Sequence, residues 1–399
     1  SDGYILTWQD GEGQNNNGAS TYYALSSDLK TWTCKGTLFE KKFLRIGSGF
    51  SMVYRYYTNA TTHLLSDGRL MAVASFWCTD TYSSSGVDAQ DNYVLDQAMK
   101  DHGIVVKFSS DYGKTWGSEK IVYYGPNWET HVMEPTAGRI ELYFAESRPK
   151  ISGSHSGTSM VYSTDGGKNW SPTLGNKPYR VMRKYWTDSS NTGGVSKKFT
   201  YQMPVGIRLN GSDQMAFAME CITGSVGSPT HHVSVVYSPE SGQWKYLEGN
   251  EVGPAGNNLE NFTKGIRPYL LQFPSGETVL SYSTSGKMKY RLGDAKAAVF
   301  GNESVLLDNS LGTWGSMELD SDHMLIAVDR KSSDQNATDK LAMGVFALNH
   351  SITASGRSVT TDGFQNEWAD SDEALYLGAA ENTEALIRCS ADGDNIYLL

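Results

Sequence analysis

Short apolar runs separated by turn residues dominate this chain, and the clearest example is QMPVGIRLNGSDQMAFAME at residues 202–220. Two strands are predicted there, Met203–Leu209 and Gln214–Glu220. The intervening Asn210-Gly211 pair tolerates positive φ and is typical of a hairpin turn. The second strand alternates large and small apolar residues and ends on Glu220. A charge at the end of a buried strand is costly unless partners hold it, so Glu220 is predicted to have a specific role.

The same hairpin recurs along the chain. Four of its turns contain a glycine, and these glycines lie 65 to 73 residues apart. A third and a fourth strand follow each hairpin, which indicates a repeating unit of four antiparallel strands. The predicted first strands of the five units are Thr61–Leu65, Glu134–Ala137, Met203–Leu209, Arg267–Phe273 and Trp314–Leu319.

A sixth unit begins at residue 1, and its first strand is absent from the N-terminus. Radial repetition of four-stranded units builds a β-propeller. The pattern therefore predicts an all-β fold, a six-bladed β-propeller over residues 1–355, followed by a short C-terminal β segment over 356–399.

Two turns after third strands share the pattern S-x-D-x-G-x-T/N-W: SSDYGKTW at 109–116 and STDGGKNW at 163–170. Degraded copies occur at 26–32 and 238–244. Ser and Asp can close such a turn on the backbone, Gly takes the left-handed position and Trp packs over the hairpin. This motif resembles the Asp-box of sialidase-type propellers, and the resemblance covers roughly residues 1–350.

The C-terminal segment has a different character. TDGFQNEW at 361–368 and DGDNIY at 392–397 resemble the start of a family 9-like carbohydrate-binding module, a β-sandwich. About 40 residues cannot bury a core alone. We therefore expect this segment to be part of a larger module or to lie on the propeller.

Composition narrows the choice of partners. The 399 residues carry a net charge of −10, which argues against nucleic acid or an anionic membrane as partner. No apolar run is long enough to span a bilayer. The four cysteines form no C-x-x-C pair, so no metal site is predicted. We expect a secreted, extracellular monomer that needs no cofactor.

Polar residues gather at one end of the predicted blades, where first strands start, second strands end and third strands start. The Asp-box turns lie at the other end. Convergence of acids, histidines, an arginine and aromatics on one face of a rigid scaffold favours a site there. The candidates for substrate binding are His63, Arg267, Tyr282, Arg45, Asp101, Trp77 and Trp314.

Glu134 and Glu220 are the candidate catalytic residues. Cleavage of a glycosidic bond needs one protonated and one ionised carboxylate. MEPTAGRIELYFAES at 133–147 and the 202–220 hairpin resemble segments of glycoside hydrolase family 93, the exo-α-1,5-L-arabinanases. The resemblance implies an exo-acting, retaining hydrolase of an oligosaccharide or polysaccharide, with Glu134 as acid/base and Glu220 as nucleophile.

Three alternatives remain open. FLRIG at 43–47 is similar to the F-R-I-P motif of sialidases; there Arg45, Arg267 and either Arg208 or Arg291 would bind the sugar carboxylate, Tyr282 with Glu220 would be the nucleophile and Asp101 the acid. A polysaccharide lyase would use His63 or Tyr282 as base, with Arg267 neutralising a uronate. A non-catalytic glycan-binding propeller would not need two carboxylates.

Overall fold

The computed structural model describes most of the chain: residues 3–9, 20–45, 52–78, 100–146, 157–182, 184–187, 197–225, 228–244, 258–308, 310, 312, 314–331, 340–348, 354, 356–362, 364, 367–368, 374–378 and 384–399. Every regular element in these ranges is a β-strand. Within the same ranges, no helix is long and apolar enough to cross a membrane.

The fold is all-β, and six successive sheets form the predicted six-bladed β-propeller arrangement. The first three sheets comprise β1 (Tyr4–Gln9), β2 (Thr21–Ser26) and β3 (Thr33–Phe39); β4 (Lys42–Arg45), β5 (Met52–Leu64), β6 (Leu70–Cys78), β7 (His102–Ser109) and β8 (Lys120–Tyr124); and β9 (Asn127–Thr136), β10 (Arg139–Glu146), β11 (Gly157–Ser163) and β12 (Tyr179–Met182).

A separate hairpin, β13 (Lys184–Thr187) and β14 (Lys197–Thr200), precedes the fourth sheet. The last three sheets comprise β15 (Gln202–Arg208), β16 (Met215–Ser225), β17 (Ser228–Tyr237) and β18 (Leu259–Lys264); β19 (Ile266–Gln272), β20 (Thr278–Thr284), β21 (Lys287–Gly293) and β22 (Ser304–Leu307); and β23 (Ser316–Ser321), β24 (Met324–Lys331) and β25 (Lys340–Ala347).

A seventh, C-terminal sheet comprises β26 (Ala374–Gly378), β27 (Glu384–Ala391) and β28 (Ile396–Leu398). Asp392 organises its last turn, accepting hydrogen bonds from Asn395 N at 2.8 Å, Tyr397 Oη at 2.7 Å and Ser358 Oγ at 3.0 Å. The boundary at residue 356 between the propeller and this segment stays a prediction.

The chain divides into two compact units, each with its own core. The first unit comprises residues 1–205, 219–234 and 244–256, and the second comprises 206–218, 235–243 and 257–399. In the first unit, β6 is buried along its whole length and its side chains pack with those of β7, β10 and β11. In the second, side chains of β20, β21, β23 and β24 form an equivalent cluster. Alternating apolar residues on second and third strands therefore supply the core, as the hairpin pattern predicted.

The two S-x-D-x-G turns are closed by the same hydrogen bonds. In the second copy, Ser163 Oγ donates to Asp165 Oδ1 at 2.8 Å and accepts from Gly167 N at 2.9 Å. The other carboxylate oxygen of Asp165 accepts from Asn169 Nδ2 at 2.7 Å. The corresponding bonds of the first copy have nearly the same lengths.

A degraded copy keeps the turn without its glycine. Ser26 Oγ accepts from Leu29 N at 2.9 Å, and Asp28 Oδ1 accepts from Thr31 N at 2.7 Å. Leu29 takes the left-handed conformation, with φ of 61°, which glycine would adopt at no steric cost. The serine and aspartate therefore hold this turn against local strain.

These turns lie at the same end of the sheets as the hairpins that join first and second strands. Arg69, in the β5–β6 hairpin, donates to Gly166 O at 2.8 Å, and Gly166 N donates to Gly138 O in the β9–β10 hairpin at 3.0 Å. We call this the turn end. The opposite end, where second strands run towards third strands, is called the open end.

Two first strands are longer than the sequence predicted. β5 begins at Met52 instead of Thr61, and β9 begins at Asn127 instead of Glu134. Both strands are rich in polar residues, and register shifts interrupt their pairing with the second strands. Since the prediction relied on apolar runs, it found only the final residues of each strand, next to the hairpin turn.

Protonation of the turn aspartates is expected to destabilise the protein in acid. Hydrogen bonds from Thr115 lower the pKa of Asp111 to about 2, and those from Asn169 do the same for Asp165. Because each pKa is depressed below the ~3.9 of an unfolded chain, the stabilisation is present above that value and is lost as the pH falls through about 2. Thermal melts between these pH values should show the loss.

The double variant Asp111→Asn/Asp165→Asn should melt at a lower temperature near neutral pH. Its melting temperature should also fall less than that of the native chain as the solution is acidified. Asp362→Asn, in an exposed turn of the C-terminal segment, is the matched control. If the melting temperature of the double variant fell as steeply in acid as that of the native chain, protonation of Asp111 and Asp165 would not be the cause of the loss.

Candidate active site

Glu220 is a buried carboxylate near the open end of the fourth sheet. It lies on β16, which continues to Ser225 instead of ending at Glu220 as predicted, and it is 2% exposed. Gln202 Nε2, from the first residue of β15, donates to Glu220 Oε1 at 3.2 Å. His231 Nδ1, from the start of β17, lies 2.7 Å from the same oxygen. The residues flanking Glu220 in its own sheet therefore supply polar partners for its charge.

Glu146 is the corresponding carboxylate of the third sheet. It is the last residue of β10 and is 2% exposed. Ser159 Oγ, on β11, donates to Glu146 Oε2 at 2.6 Å. Ser159 is also the Cα partner of Arg180 on β12, which is itself 2% exposed. The open end of this sheet thus combines an acid, a hydroxyl and a cation.

One contact between the third and fourth sheets involves residues close in sequence or register to both glutamates. Thr158, next to the Cα partner of Glu146, donates from Oγ1 to Tyr201 O at 2.9 Å. The same Oγ1 lies 3.7 Å from Met219 Sδ. Because Tyr201 precedes Gln202 and Met219 precedes Glu220, this contact joins the third and fourth sheets next to the positions of their buried carboxylates. They form the candidate catalytic pair of the structure.

Glu134 occupies a different place from the one predicted. It lies two residues before the end of β9, at the turn end. Its carboxylate accepts hydrogen bonds from Ser66 N at 2.6 Å, Ser66 Oγ at 2.9 Å and Gly138 N at 2.7 Å. The expectation that Glu134 opens its strand beside Glu220 is wrong, because the strand begins seven residues earlier, at Asn127.

Strand register shows how far apart Glu134 and Glu220 are. Met133 pairs with Glu141, and Glu141 pairs with Tyr162, four residues along β11 from Thr158. At about 3.3 Å per residue, Glu134 lies roughly 13–17 Å along the sheet from the contact with Met219. This separation exceeds the ~5–9.5 Å that either glycosidase mechanism requires.

His63 shares the position of Glu134. It is the penultimate residue of β5, not the first, and so also lies at the turn end. Burial lowers the pKa of His63, and the nearby charge of Glu134 partly opposes that shift. His63 therefore does not lie at the open end, where the sequence placed it among the substrate-binding residues.

Trp77 and Asp101 do lie at the open end, on either side of the β6–β7 connection. Trp77 is 3% exposed, and its ring packs on Trp128 with centroids 3.9 Å apart and on His102 at 5.4 Å. Asp101 is 2% exposed and directly precedes β7. Since Trp77 is buried by other rings, it supports the site without presenting a free face to a sugar.

Arg45 ends β4, where its backbone pairs with Met52. Its side chain lies outside the described part of the chain, so its predicted role stays a prediction. Arg55, three residues further along β5 than Met52, stacks its guanidinium over the Phe76 ring at 4.2 Å. This arginine near the open end was not among the predicted site residues.

Tyr282 belongs to a charged cluster of the fifth sheet. Its hydroxyl donates to Glu303 Oε2 at 2.6 Å and accepts from Arg291 Nε at 2.9 Å. Burial, with the hydrogen bond to Glu303, raises the pKa of Tyr282. A tyrosine that donates to Glu303 does not form the tyrosine–Glu220 nucleophile that the sialidase alternative requires.

Arg267 and Trp314 lie together in the second unit. The Arg267 guanidinium stacks over the Trp314 ring, 3.6 Å from its centroid, and Nη1 donates to Gly312 O at 3.1 Å. Trp314 is 46% exposed. The structure therefore brings together two residues that the sequence assigned separately to substrate binding.

Glu146 is the second member of the carboxylate pair, and Gln202 and His231 are partners of Glu220. None of the three was among the candidate site residues predicted from the sequence. A signal for Glu146 was present in the sequence, because it follows the turn glycine Gly138 at nearly the spacing by which Glu220 follows Gly211. Aligning the two hairpins on their second strands would have found it. Among the described residues, no group of three or more His, Cys, Asp or Glu could hold a metal ion.

The chain matches no protein-family model and no curated protein. Solved structures of similar fold include a Dyadobacter fermentans protein of unknown function, with a TM-score of 0.55, 14% identity and coverage of 87% of this chain and 92% of that one. The α-L-arabinofuranosidase Arb93A from Fusarium graminearum, in complex with an iminosugar inhibitor, matches with a TM-score of 0.53, 16% identity and coverage of 86% and 89%.

The Hadza microbial sialidase Hz136 matches with a TM-score of 0.51 and 11% identity, over 81% of this chain and 60% of the sialidase. A further structure of the Fusarium enzyme, assigned to family GH93, contains arabinobiose. At such identities the comparisons establish architecture. The chain has a sialidase-like β-propeller fold near that of the family 93 arabinofuranosidase.

Proposed function

We propose that this chain is an exo-acting, retaining glycoside hydrolase that releases arabinofuranosyl units from a neutral polysaccharide. The observation that carries the proposal is the pair Glu146 and Glu220, each 2% exposed and each near the open end of successive sheets. Buried charges rarely improve stability over apolar residues. Two of them at equivalent positions favour chemistry at this end of the fold.

Glu220 is suited to act as the nucleophile. Its Oε1 is close to two groups that can donate, the Gln202 amide and the His231 imidazole. Both groups would hold the carboxylate in a fixed orientation. Glu220 would attack the anomeric carbon and form a glycosyl–enzyme ester as the bond to the leaving oxygen breaks.

Glu146 is suited to act as acid and then as base. Ser159 donates a hydrogen bond that would orient its carboxyl group. Glu146 would protonate the leaving glycosidic oxygen, then remove a proton from the water that hydrolyses the ester. An inverting enzyme would instead use one carboxylate as base for a water that displaces the leaving group in a single step, across a wider carboxylate spacing. The stereochemistry of the product therefore distinguishes the two mechanisms.

The arabinofuranosyl substrate is inferred from the family 93 resemblance of the hairpin at 202–220 and from the arabinobiose in the Fusarium structure. The sialidase alternative loses support because Tyr282 donates to Glu303. A secreted, monomeric state remains part of the proposal and would be checked by fractionation of the native source and by light scattering.

Substitution of the two carboxylates should separate their roles. Glu220→Gln should abolish turnover of every glycoside, since no nucleophile remains. Glu146→Gln should slow the cleavage of substrates with poor leaving groups by about 10²- to 10⁴-fold. Aryl glycosides, whose leaving groups need no proton, should still release a burst of the aryl group, followed by slow hydrolysis of the ester. Steady-state kinetics on arabinobiose and an aryl arabinofuranoside, with binding measured by calorimetry, would test both.

Glu134→Gln is the matched control, because Glu134 is a glutamate of the neighbouring strand at the turn end. Loss of its charge-assisted hydrogen bonds should lower the free energy of unfolding by about 1–3 kcal/mol and leave kcat near that of the native chain. Near-normal kcat in Glu220→Gln, or abolished kcat in a folded Glu134→Gln, would contradict the assignment.

Substrate class is tested by parallel digestion of debranched arabinan, a sialoside and a uronate-capped glycan. Arabinan should be shortened from its end, with release of a product that retains its anomeric configuration by NMR. Free sialic acid would indicate a sialidase, and a product with the ultraviolet absorbance of an unsaturated uronate would indicate a lyase. Either result would replace the proposed substrate.

A further inference from the structure

We propose that Arg267 and Trp314 form a preorganised stacking platform for a neutral sugar ring. Trp314 is 46% exposed, although the Arg267 guanidinium lies over its ring, 3.6 Å from the ring centroid. An aromatic ring held flat and presented on one side is the arrangement that the apolar C–H face of a sugar requires.

Backbone strain at both positions supports a functional origin. Arg267 has φ of 55° and Trp314 has φ of 54°, in the left-handed region that bulky residues rarely adopt. Met203 has φ of 53° at the same place in β15, the second residue of the strand. This conformation is strained for a residue with a bulky side chain, whereas glycine adopts it freely. Met203 and Arg267 thus hold this conformation at matching positions of two first strands, and Trp314 holds it two residues before β23.

Proline makes the strain at two of these positions more unusual. Pro204 follows Met203, and Pro268 follows Arg267. A residue before proline is normally confined to extended conformations with negative φ. The surrounding sheet must therefore impose the left-handed turn, which directs the Arg267 side chain to the indole.

The segment that precedes Trp314 is held by contacts with β21 and with Arg267. Ser310 Oγ accepts from Met288 N at 2.8 Å. Gly312, with φ of 61°, lies so close to Lys287 that a Cβ would be 2.9 Å from its carbonyl oxygen. Arg267 Nη1 donates to Gly312 O. The ring is therefore fixed before any ligand arrives, which reduces the entropy lost on binding.

Arg267 adds hydrogen-bond donors to the aromatic surface. Its guanidinium plane lies on the indole, and one of its N–H groups donates to the Gly312 carbonyl. Stacking keeps the N–H groups of a guanidinium in its own plane, where they can donate to sugar hydroxyls. The choice of an uncharged furanose or pyranose follows from the arabinan substrate proposed above.

This inference rests on the proposed function only for the choice of ligand, and binding can be measured without turnover. In the full-length Glu220→Gln chain, calorimetry with an arabino-oligosaccharide should give a dissociation constant that Trp314→Ala raises by about 10- to 100-fold. Trp314→Phe should retain most of the affinity. The affinity should change little with salt, since no charge on the ligand is neutralised.

Trp314→Gly separates a binding role from a structural one. Glycine adopts the left-handed conformation without strain, so the melting temperature should be unchanged or raised while binding is lost. Tyr112→Gly is the matched control, because Tyr112 is also aromatic, 56% exposed and at φ of 58°, but lies in a turn-end motif. It should stabilise the chain and leave binding unaltered.

Affinity unchanged in Trp314→Ala would overturn the platform and leave the proposed hydrolase intact. Tighter binding of a uronate-bearing oligosaccharide, weakened by salt, would overturn the assignment to neutral sugars. Absence of any glycan binding by the Glu220→Gln chain would also overturn the platform. Binding at Trp314 without hydrolysis by the native chain would instead refute the proposed activity alone.

Discussion

The hydrogen-bonded turns at one end of the sheets are the constraint on which the other features depend. A serine and an aspartate bind successive backbone amides in each S-x-D-x-G turn, and neighbouring turns are joined through Arg69 and Gly166. Since side chains alternate between sheet faces, a slip of one residue would reverse every one of them. The hydrogen bonds that fix the strand register at the turn end therefore also determine which side chains lie at the open end.

Buried charge and backbone strain indicate where this scaffold departs from maximal stability. Glu146 and Glu220 are desolvated carboxylates with side-chain partners, and Met203, Arg267 and Trp314 hold left-handed backbone conformations. Neither feature improves the packing of a propeller blade. Features of this kind persist when the surrounding structure imposes them, and they concentrate at functional sites.

Glu134 shows why an acidic motif is weak evidence for catalysis without strand boundaries. Its carboxylate satisfies the amides of the hairpin at Gly138 and of the neighbouring turn at Ser66. Buried or half-buried backbone donors need such acceptors as much as a substrate does. The sequence motif around Glu134 is compatible with both roles, and the contacts decide in favour of the structural one.

The sequence by itself determined the repeat, the blade count and the identity of the second and third strands, because apolar alternation and turn chemistry are local signals. It also singled out Glu220 as a candidate, because its charge follows an apolar run. Only the tertiary structure decided where the polar first strands begin, and so which end holds Glu134. It also decided which residues act together: Glu146 with Ser159, Glu220 with His231, and Arg267 with Trp314. Strand starts without apolar runs and contacts between distant residues leave no local pattern, since they arise from the pairing and packing of separate segments.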